Sequence, residues 1–304
     1  LQVDLIHENL CLSREVLEHS ILFVSRKTFE TTISIDGPPP INDALRMYKG
    51  GKPVSEQVVR SINELQAIGV KVTIETVYTA HHISQQYSIN DCMEFVKSLG
   101  INELILQPAY PPARREVNPL SDSTIENYIA YYMEAVDRWC EDFVDDGKIF
   151  GIYFKDILKI MLEDSPSMPS GCPAGVTSYS VGPDGSIYPC QLLYGKPRLH
   201  MGNVSDEGFV LNCTNIPEIH TEPDECRSCY ARHWCQPCAA LNDFFGDIAH
   251  PSKSECAVRK AVILRIAQWA SERLVLPENE YTEILREKLA LFRSKTPCCE
   301  LVSS

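Results

Sequence analysis

The sequence predicts an α/β fold in its first half and, after it, a cysteine-rich region that depends on metal for its integrity. Three observations lead there. Strand-like and helix-like stretches alternate up to about residue 165. Eight of the chain's 13 cysteines then crowd the segment 172–256. Helical periodicity returns at the end, over about 257–273 and 279–293. Repeated βα units imply parallel strands joined by helical crossovers.

The elements follow in order. Val3–Ile6 and Ser13–His19 read as a first strand and helix. Thr31–Ile35 is a β-branched strand that runs into Asp36-Gly37-Pro38-Pro39-Pro40, read as a turn that ends it. Val54–Ile68 places Val58, Ile62 and Leu65 on one helical face and stops at Gly69. Val70–Tyr78 alternates as a strand, Asp91–Leu99 is a helix closed by Gly100, and Glu103–Gln107 is the next strand. From about Ser123 a long helix carries Tyr128, Tyr132, Val136, Trp139, Cys140 and Phe143 at helical spacing. The chain divides near Pro166–Pro169, giving expected domains over 1–165, 166–258 and 259–304. Within the second, Tyr179–Val181 and Ser186–Tyr188 flank Gly182-Pro183-Asp184-Gly185 as a β-hairpin.

Composition excludes some functions. A net charge of −13 argues against a grip on nucleic acid, which needs many basic side chains against phosphate, and against docking on an anionic membrane. No apolar run reaches the roughly 20 residues of a membrane helix. The first residues, LQVDLIHENL, show no secretory pattern. A cytoplasmic, reducing setting is therefore expected, in which clustered cysteines bind metal more often than they form disulfides.

Cys92 and Cys140 lie on apolar helical stripes and read as small buried hydrophobes, as does Cys11. Cys213, Cys298 and Cys299 fit no pattern. The remaining seven are Cys172, Cys190, Cys226, Cys229, Cys235, Cys238 and Cys256. One zinc ion takes four ligands, so seven thiolates exceed one site and fall one short of two all-cysteine sites. Iron–sulfur clusters take four cysteines each, or three with one iron left open. Two [4Fe–4S] clusters are the better match, and structural zinc stays as the alternative.

The spacing carries a resemblance. Cys172, Gly185, Cys190, Cys226-x2-Cys229-x5-Cys235-x2-Cys238 and Cys256 closely resemble the SPASM domain, the auxiliary-cluster module of many radical S-adenosylmethionine (SAM) enzymes. "VGPDGSIYPC" (181–190) and "MGNV" (201–204) are similar to its hairpin, and "ISIDGPPPINDALR" (33–46) resembles the fourth strand of the radical SAM barrel with its following loop. The resemblance implies the C-terminal part of a partial (β/α)6 radical SAM barrel, a SPASM domain and C-terminal helices. It implies that Cys226, Cys229, Cys235 and Cys256 hold an outer auxiliary cluster and Cys172, Cys190 and Cys238 an inner one with an open fourth position. It also implies that Ser34 and Asp36 face SAM.

This sequence departs from the family in three places. The C-x3-C-x2-C loop of the SAM-cleaving cluster is absent, because Val3–Ile6 aligns as the third barrel strand. A longer chain carrying that third cluster is expected, with a partner protein that kept only the auxiliary clusters as the alternative. Cys235-Gln236-Pro237-Cys238 is one residue shorter than the family's usual C-x3-C, and His7-Glu8-Asn9 replaces its Thr-Asn-Gly. The implied activity is radical modification of a ribosomal peptide or protein side chain, with a flavodoxin or ferredoxin as electron donor. In sulfatase-maturating members an Asp follows the cysteine matching Cys190 and acts as a base. Here Gln191 stands there, and an amide cannot take that role. Peptide maturation is therefore preferred to sulfatase activation. His81-His82 is read as an exposed loop pair.

Overall fold

The computed structural model describes residues 5–7, 30–109, 122–146, 151–162, 172–208, 216–235, 237–244, 248 and 250–274. It divides into two units, Leu1–Leu162 with Leu264–Ser304, and Glu163–Ile263. Among the described residues no helix is long and apolar enough to cross a membrane.

The first unit is built on a four-stranded parallel sheet in the order β1 (Leu5–His7), β2 (Glu30–Ser34), β3 (Lys71–Tyr78), β4 (Leu104–Pro108). The register pairs Ile33 with Ile74, and Ile74 with Leu104. A parallel bridge from Leu104 to Gly151 continues the sheet beyond β4. On β3, Val72, Thr73 and Ile74 are buried in succession, as expected of a parallel strand covered on both faces. The helix expected beside Val3–Ile6 lies outside the described residues.

Helices α1 (Pro39–Leu45), α2 (Ser55–Ala67), α3 (Ala80–Ser84), α4 (Ile89–Ser98), α5 (Asp122–Asp146) and α6 (Ile152–Leu162) follow the strands. Two details differ from the sequence reading. Pro39 and Pro40 do not prolong a turn; they open α1, where the first helical turn has no use for their missing N–H. Also, α6 was not foreseen. Its Phe154, Ile157 and Leu158 are buried. A chain of aromatic contacts binds the helices together: Tyr128 to Tyr132, Tyr132 to Trp139, and Trp139 to Phe154 at 6.1 Å.

The second unit has little regular structure. Strands β5 (Ser180–Val181) and β6 (Ile187–Tyr188) form the hairpin, and Met201–Val204 returns along it through Met201 N–H to Ile187 O and Ile187 N–H to Gly202 O, both 2.8 Å. The turn between the strands needs Gly185, whose φ is +80°, and Asp184 ties it by accepting from Ser186 N–H and Oγ–H. Helices α7 (Pro217–His220), α8 (Asp224–Arg227) and α9 (Ala239–Phe244) are short. Helix α10 (Lys253–Leu274) divides its residues between the two units. In the first unit its Trp269 packs edge-on against Phe143 and Phe154 at 6.4 Å. The second C-terminal helix expected at 279–293 lies outside the described residues.

Helix α4 starts with a reciprocal cap. Asp91 N–H donates to Ser88 Oγ at 3.1 Å and Ser88 N–H to the Asp91 carboxylate at 2.7 Å. Ser88→Ala is expected to lower stability by about 1 kcal/mol without changing the denaturant dependence, as measured by urea unfolding.

Candidate functional site

Each unit holds one constellation. In the first it is the turn after β2, at the C-terminal end of a parallel strand, the edge on which α/β sheets bind ligands. The polar groups of this turn are held by the protein itself. Ile35 N–H donates to Glu75 O at 3.1 Å, and Thr76 Oγ1–H donates to Ile35 O at 2.7 Å. Asp36 N–H donates to Asn42 Oδ1 at 2.8 Å. The Asp36 carboxylate is 5% exposed and receives Arg46 through Nε at 2.6 Å and Nη2 at 3.0 Å, with Val77 N–H at 3.0 Å. A buried carboxylate survives only with such partners. Asn42 is held in turn by Ser55, and Ser55 by Asp43.

Gly37 follows at φ +125°, and a Cβ there would meet Cys92 Sγ at 3.0 Å. Ser34 is buried beside this turn, at 8% exposure. The structure thus brings Ser34 and Asp36 to the C-terminal edge of the sheet, with the Asp36 side chain engaged internally. Cys92 and Cys140 are buried, and burial among apolar neighbours pushes the Cys92 thiol up to about 12.

The histidine pair corrects the sequence reading. His81 and His82 lie in α3, and His82 is fully buried, stacked on Tyr78 at 4.4 Å. Thr79 N–H donates to His82 Nδ1 at 3.1 Å, so Nδ1 carries no hydrogen and Nε2 does. That Nε2–H donates to Asp36 O at 2.6 Å. The signal was present: Thr79-x-x-His82 occupies the frame of a capping box, with His in place of the usual Glu or Gln.

Burial lowers the His82 pKa from 6.5, with His81 adding to the fall and Asp36 opposing it. The unfolded chain therefore binds a proton near 6.5 that the folded chain refuses until lower pH, so this contribution is complete above 6.5 and is lost as pH falls through the folded value. Chemical denaturation from about pH 7.5 to about pH 5 is expected to show a steeper loss of stability in the wild type than in His82→Gln.

In the second unit the cysteines fall into two groups. Cys226, Cys229, Cys235 and Cys256 line one cavity of about 30 Å3, joined by Arg232, Glu255, Arg259 and Lys260. Tight turns place them: Cys229 N–H bonds to Cys226 O and Arg232 N–H to Cys229 O, both at 3.1 Å, and Cys256 sits in the first turn of α10. Cys172, Cys190 and Cys238 pack instead against a second cluster, formed by Ala174, Leu193, Leu199, Ile219, Ala239 and Ala240. None of these seven is in a disulfide. Cys11, Cys213, Cys298 and Cys299 lie outside the described residues.

The electrostatics suit metal-bound thiolates. Burial, then the neighbouring sulfurs of Cys256, Cys235 and Cys229, pushes the Cys226 thiol up to about 11. Burial likewise raises Cys190, Cys235, Cys238 and Cys256. Backbone N–H groups of Leu192 and Leu193 oppose this at Cys190, and those of Ala240 and Leu241 at Cys238. Such donors favour the anionic sulfur, the form in which a thiol binds metal. Three buried polar atoms of this unit have no partner among the described residues: His220 Nε2, Asn242 Oδ1 and Glu255 Oε2. Among the described residues no three His, Cys, Asp or Glu side chains form a group able to hold a single metal ion. The four thiols stand round a cavity, which suits a polynuclear group.

Residues 172–239 match the SPASM family, an iron–sulfur cluster-binding domain. Over 194 residues the chain is 28% identical to the cysteine-type anaerobic sulfatase-maturating enzyme of Clostridium novyi, covering 62% of this chain and 49% of that one. It is 26% identical over 219 residues to the enzyme of the same name from Clostridium perfringens (strain 13), covering 68% and 57%. The chain thus spans about half the length of the curated relatives it matches. Among solved structures, histidine-tagged anSMEcpe with bound AdoMet superposes with a TM-score of 0.70 at 21% identity, over 96% of this chain and 74% of that one. Native anSMEcpe with AdoMet and the Kp18Cys peptide gives 0.67 at 22%, over 90% and 74%. The fold is therefore the one expected, a radical SAM α/β barrel portion with a SPASM domain.

Proposed function

We propose that this chain is part of a radical SAM enzyme that modifies a side chain of a peptide or protein. The observation that carries the reading is the division of seven cysteines into two groups within and beside the SPASM match. In this reading Cys226, Cys229, Cys235 and Cys256 hold an outer [4Fe–4S] cluster. Cys172, Cys190 and Cys238 hold an inner cluster with a fourth position open. Ser34 and the Asp36 turn face SAM, supported by the solved relatives that carry AdoMet on the same fold. When bound, these groups supply the one-electron chemistry that breaks an unactivated C–H bond. The chain's own residues hold the clusters, fix the turn and keep solvent from the site. The SAM-cleaving cluster would lie in a longer chain, and a flavodoxin- or ferredoxin-like protein would deliver its electron.

A peptide substrate fits relatives solved with peptides, anSMEcpe with Kp18Cys and the SuiB of Streptococcus suis with its precursor SuiA. The curated relatives favour a second reading, sulfatase maturation. Against it, Gln191 follows Cys190 as the exposed start of a 3-10 turn and cannot accept a proton.

Anaerobic iron and sulfide analysis tests the assignment. Cys226→Ala is expected to lose about four iron atoms per chain relative to the wild type, and Cys92→Ala none. Stoichiometric zinc without sulfide would end the cluster reading, and an unchanged iron content in Cys226→Ala would end the ligand assignment.

A further inference from the structure

The turn after β2 is held from three elements, and one of its contacts comes from an imidazole ring. Asp36 O takes its hydrogen bond from a distant side chain, the Nε2–H of His82 at 2.6 Å. His82 comes from α3, 46 positions along the chain, and its own ring is fixed twice. Thr79 N–H donates to Nδ1 and the ring stacks on Tyr78, whose hydroxyl is anchored on Tyr87 O at 2.5 Å. The imidazole thus spans from the cap of α3 to the carbonyl that precedes Gly37. Its two nitrogens have separate duties: Nδ1 accepts from the cap of its own helix, and Nε2 donates to the turn.

We propose that His82 is a positioning residue for SAM binding: its Nε2–H fixes the Asp36 carbonyl, and so the Asp36–Gly37 peptide that follows Ser34. This rests on the reading that SAM binds at this turn. Asp36 O can rotate away only by leaving the buried Nε2–H unpaired, and a buried unpaired donor is costly. The peptide that carries the Gly37 N–H is therefore set before any ligand arrives. Preorganisation of this kind raises affinity by removing the ordering cost from the binding step. The groups facing the ring are Asp36, His81, Thr79 and Tyr78.

Two substitutions separate the duties. The amide of Gln places its nitrogen near Nε2, so His82→Gln keeps the donor to Asp36 O and loses the acceptor for Thr79 N–H. Asn is shorter, so His82→Asn keeps the acceptor and loses the donor. SAM dissociation constants are measured by anaerobic equilibrium dialysis on the intact protein with its clusters in place. The expected result is a loss on the order of tenfold in His82→Asn and wild-type affinity within about twofold in His82→Gln. Equal affinities for all three, or equal losses in both variants, would overturn the proposal, because a role in stability alone does not follow the Nε2 donor. A wild type that binds no SAM would instead overturn the reading beneath it. Should His82→Asn not fold, hydrogen–deuterium exchange on the wild type decides. SAM is expected to protect 35–42 and 79–85 together, and protection of 35–42 alone would falsify the coupling.

Discussion

A buried carboxylate organises the first unit. Asp36 sits where β2 ends, and its charge is tolerable only because Arg46 and the Val77 amide meet it there. Those two partners come from different elements, the end of α1 and the end of β3. Meeting them fixes how far α1 travels before it turns back and how β3 lies beside β2. Asn42 on the same helix closes the Asp36 amide, and Ser55 and Asp43 tie Asn42 to the start of α2. The ion pair and these hydrogen bonds together tie the chain from residue 36 to residue 55. Breaking it by removing one partner would leave the other charge stranded, which is worse than never having built the pair.

The second unit obeys a different constraint. Its apolar cluster is small, with two alanines of α9 and three branched side chains as its bulk, and among the described residues its regular structure ahead of α10 is a two-residue ladder and a few short helical turns. Burial of Cys226, Cys190 and Cys238 pushes each thiol toward its neutral form, while the amides around Cys190 and Cys238 favour the anion. These tendencies oppose each other in the bare polypeptide, and a bound metal would reconcile them by deprotonating the thiols and taking up their charge. The basic residues of the outer cavity act in the same direction. Arg232 and Arg259 are already paired with Glu222 and Glu255, and Lys260 and Arg259 favour the Cys256 anion.

Much of this architecture was legible in the sequence, and the misses have physical causes. Val70–Tyr78 became a strand from Lys71 to Tyr78 because alternation and β-branching agree there. Pro38-Pro39-Pro40 misled because proline marks both turns and the first turn of a helix, and only the downstream Ile41 and Leu45 spacing separates the two. His82 misled because the pair follows directly on a strand, where a loop is the commoner continuation, and a histidine capping its own helix has no strong compositional mark. Helix α6 was missed because its run IYFKDILKIML is apolar nearly all round, which gives no clean stripe. The pairing of cysteines into two groups could not come from spacing alone. Cys235 and Cys238 are three positions apart and belong to different groups, and only a resemblance or a fold separates them.

The two constellations imply opposite couplings between ligand and fold. The Asp36 turn is formed without a ligand: the Ile35 and Asp36 amides, their carbonyls and the Asp36 carboxylate have protein partners, so binding there adds contacts to a surface already formed. The cysteine unit is incomplete without one, with thiols held against their preferred ionisation and, among the described residues, with His220 Nε2, Asn242 Oδ1 and Glu255 Oε2 buried without partners. Free energy of cluster binding is then largely free energy of folding for this unit, as it is for small metal-bound domains. On that reading, loss of the clusters should unfold the second unit while the parallel sheet persists, because among the described residues none of the strand pairings or of the Asp36 contacts involves a cysteine of that unit. A unit of this kind would be assembled by its cofactor, whereas the turn after β2 is assembled by its own polar network.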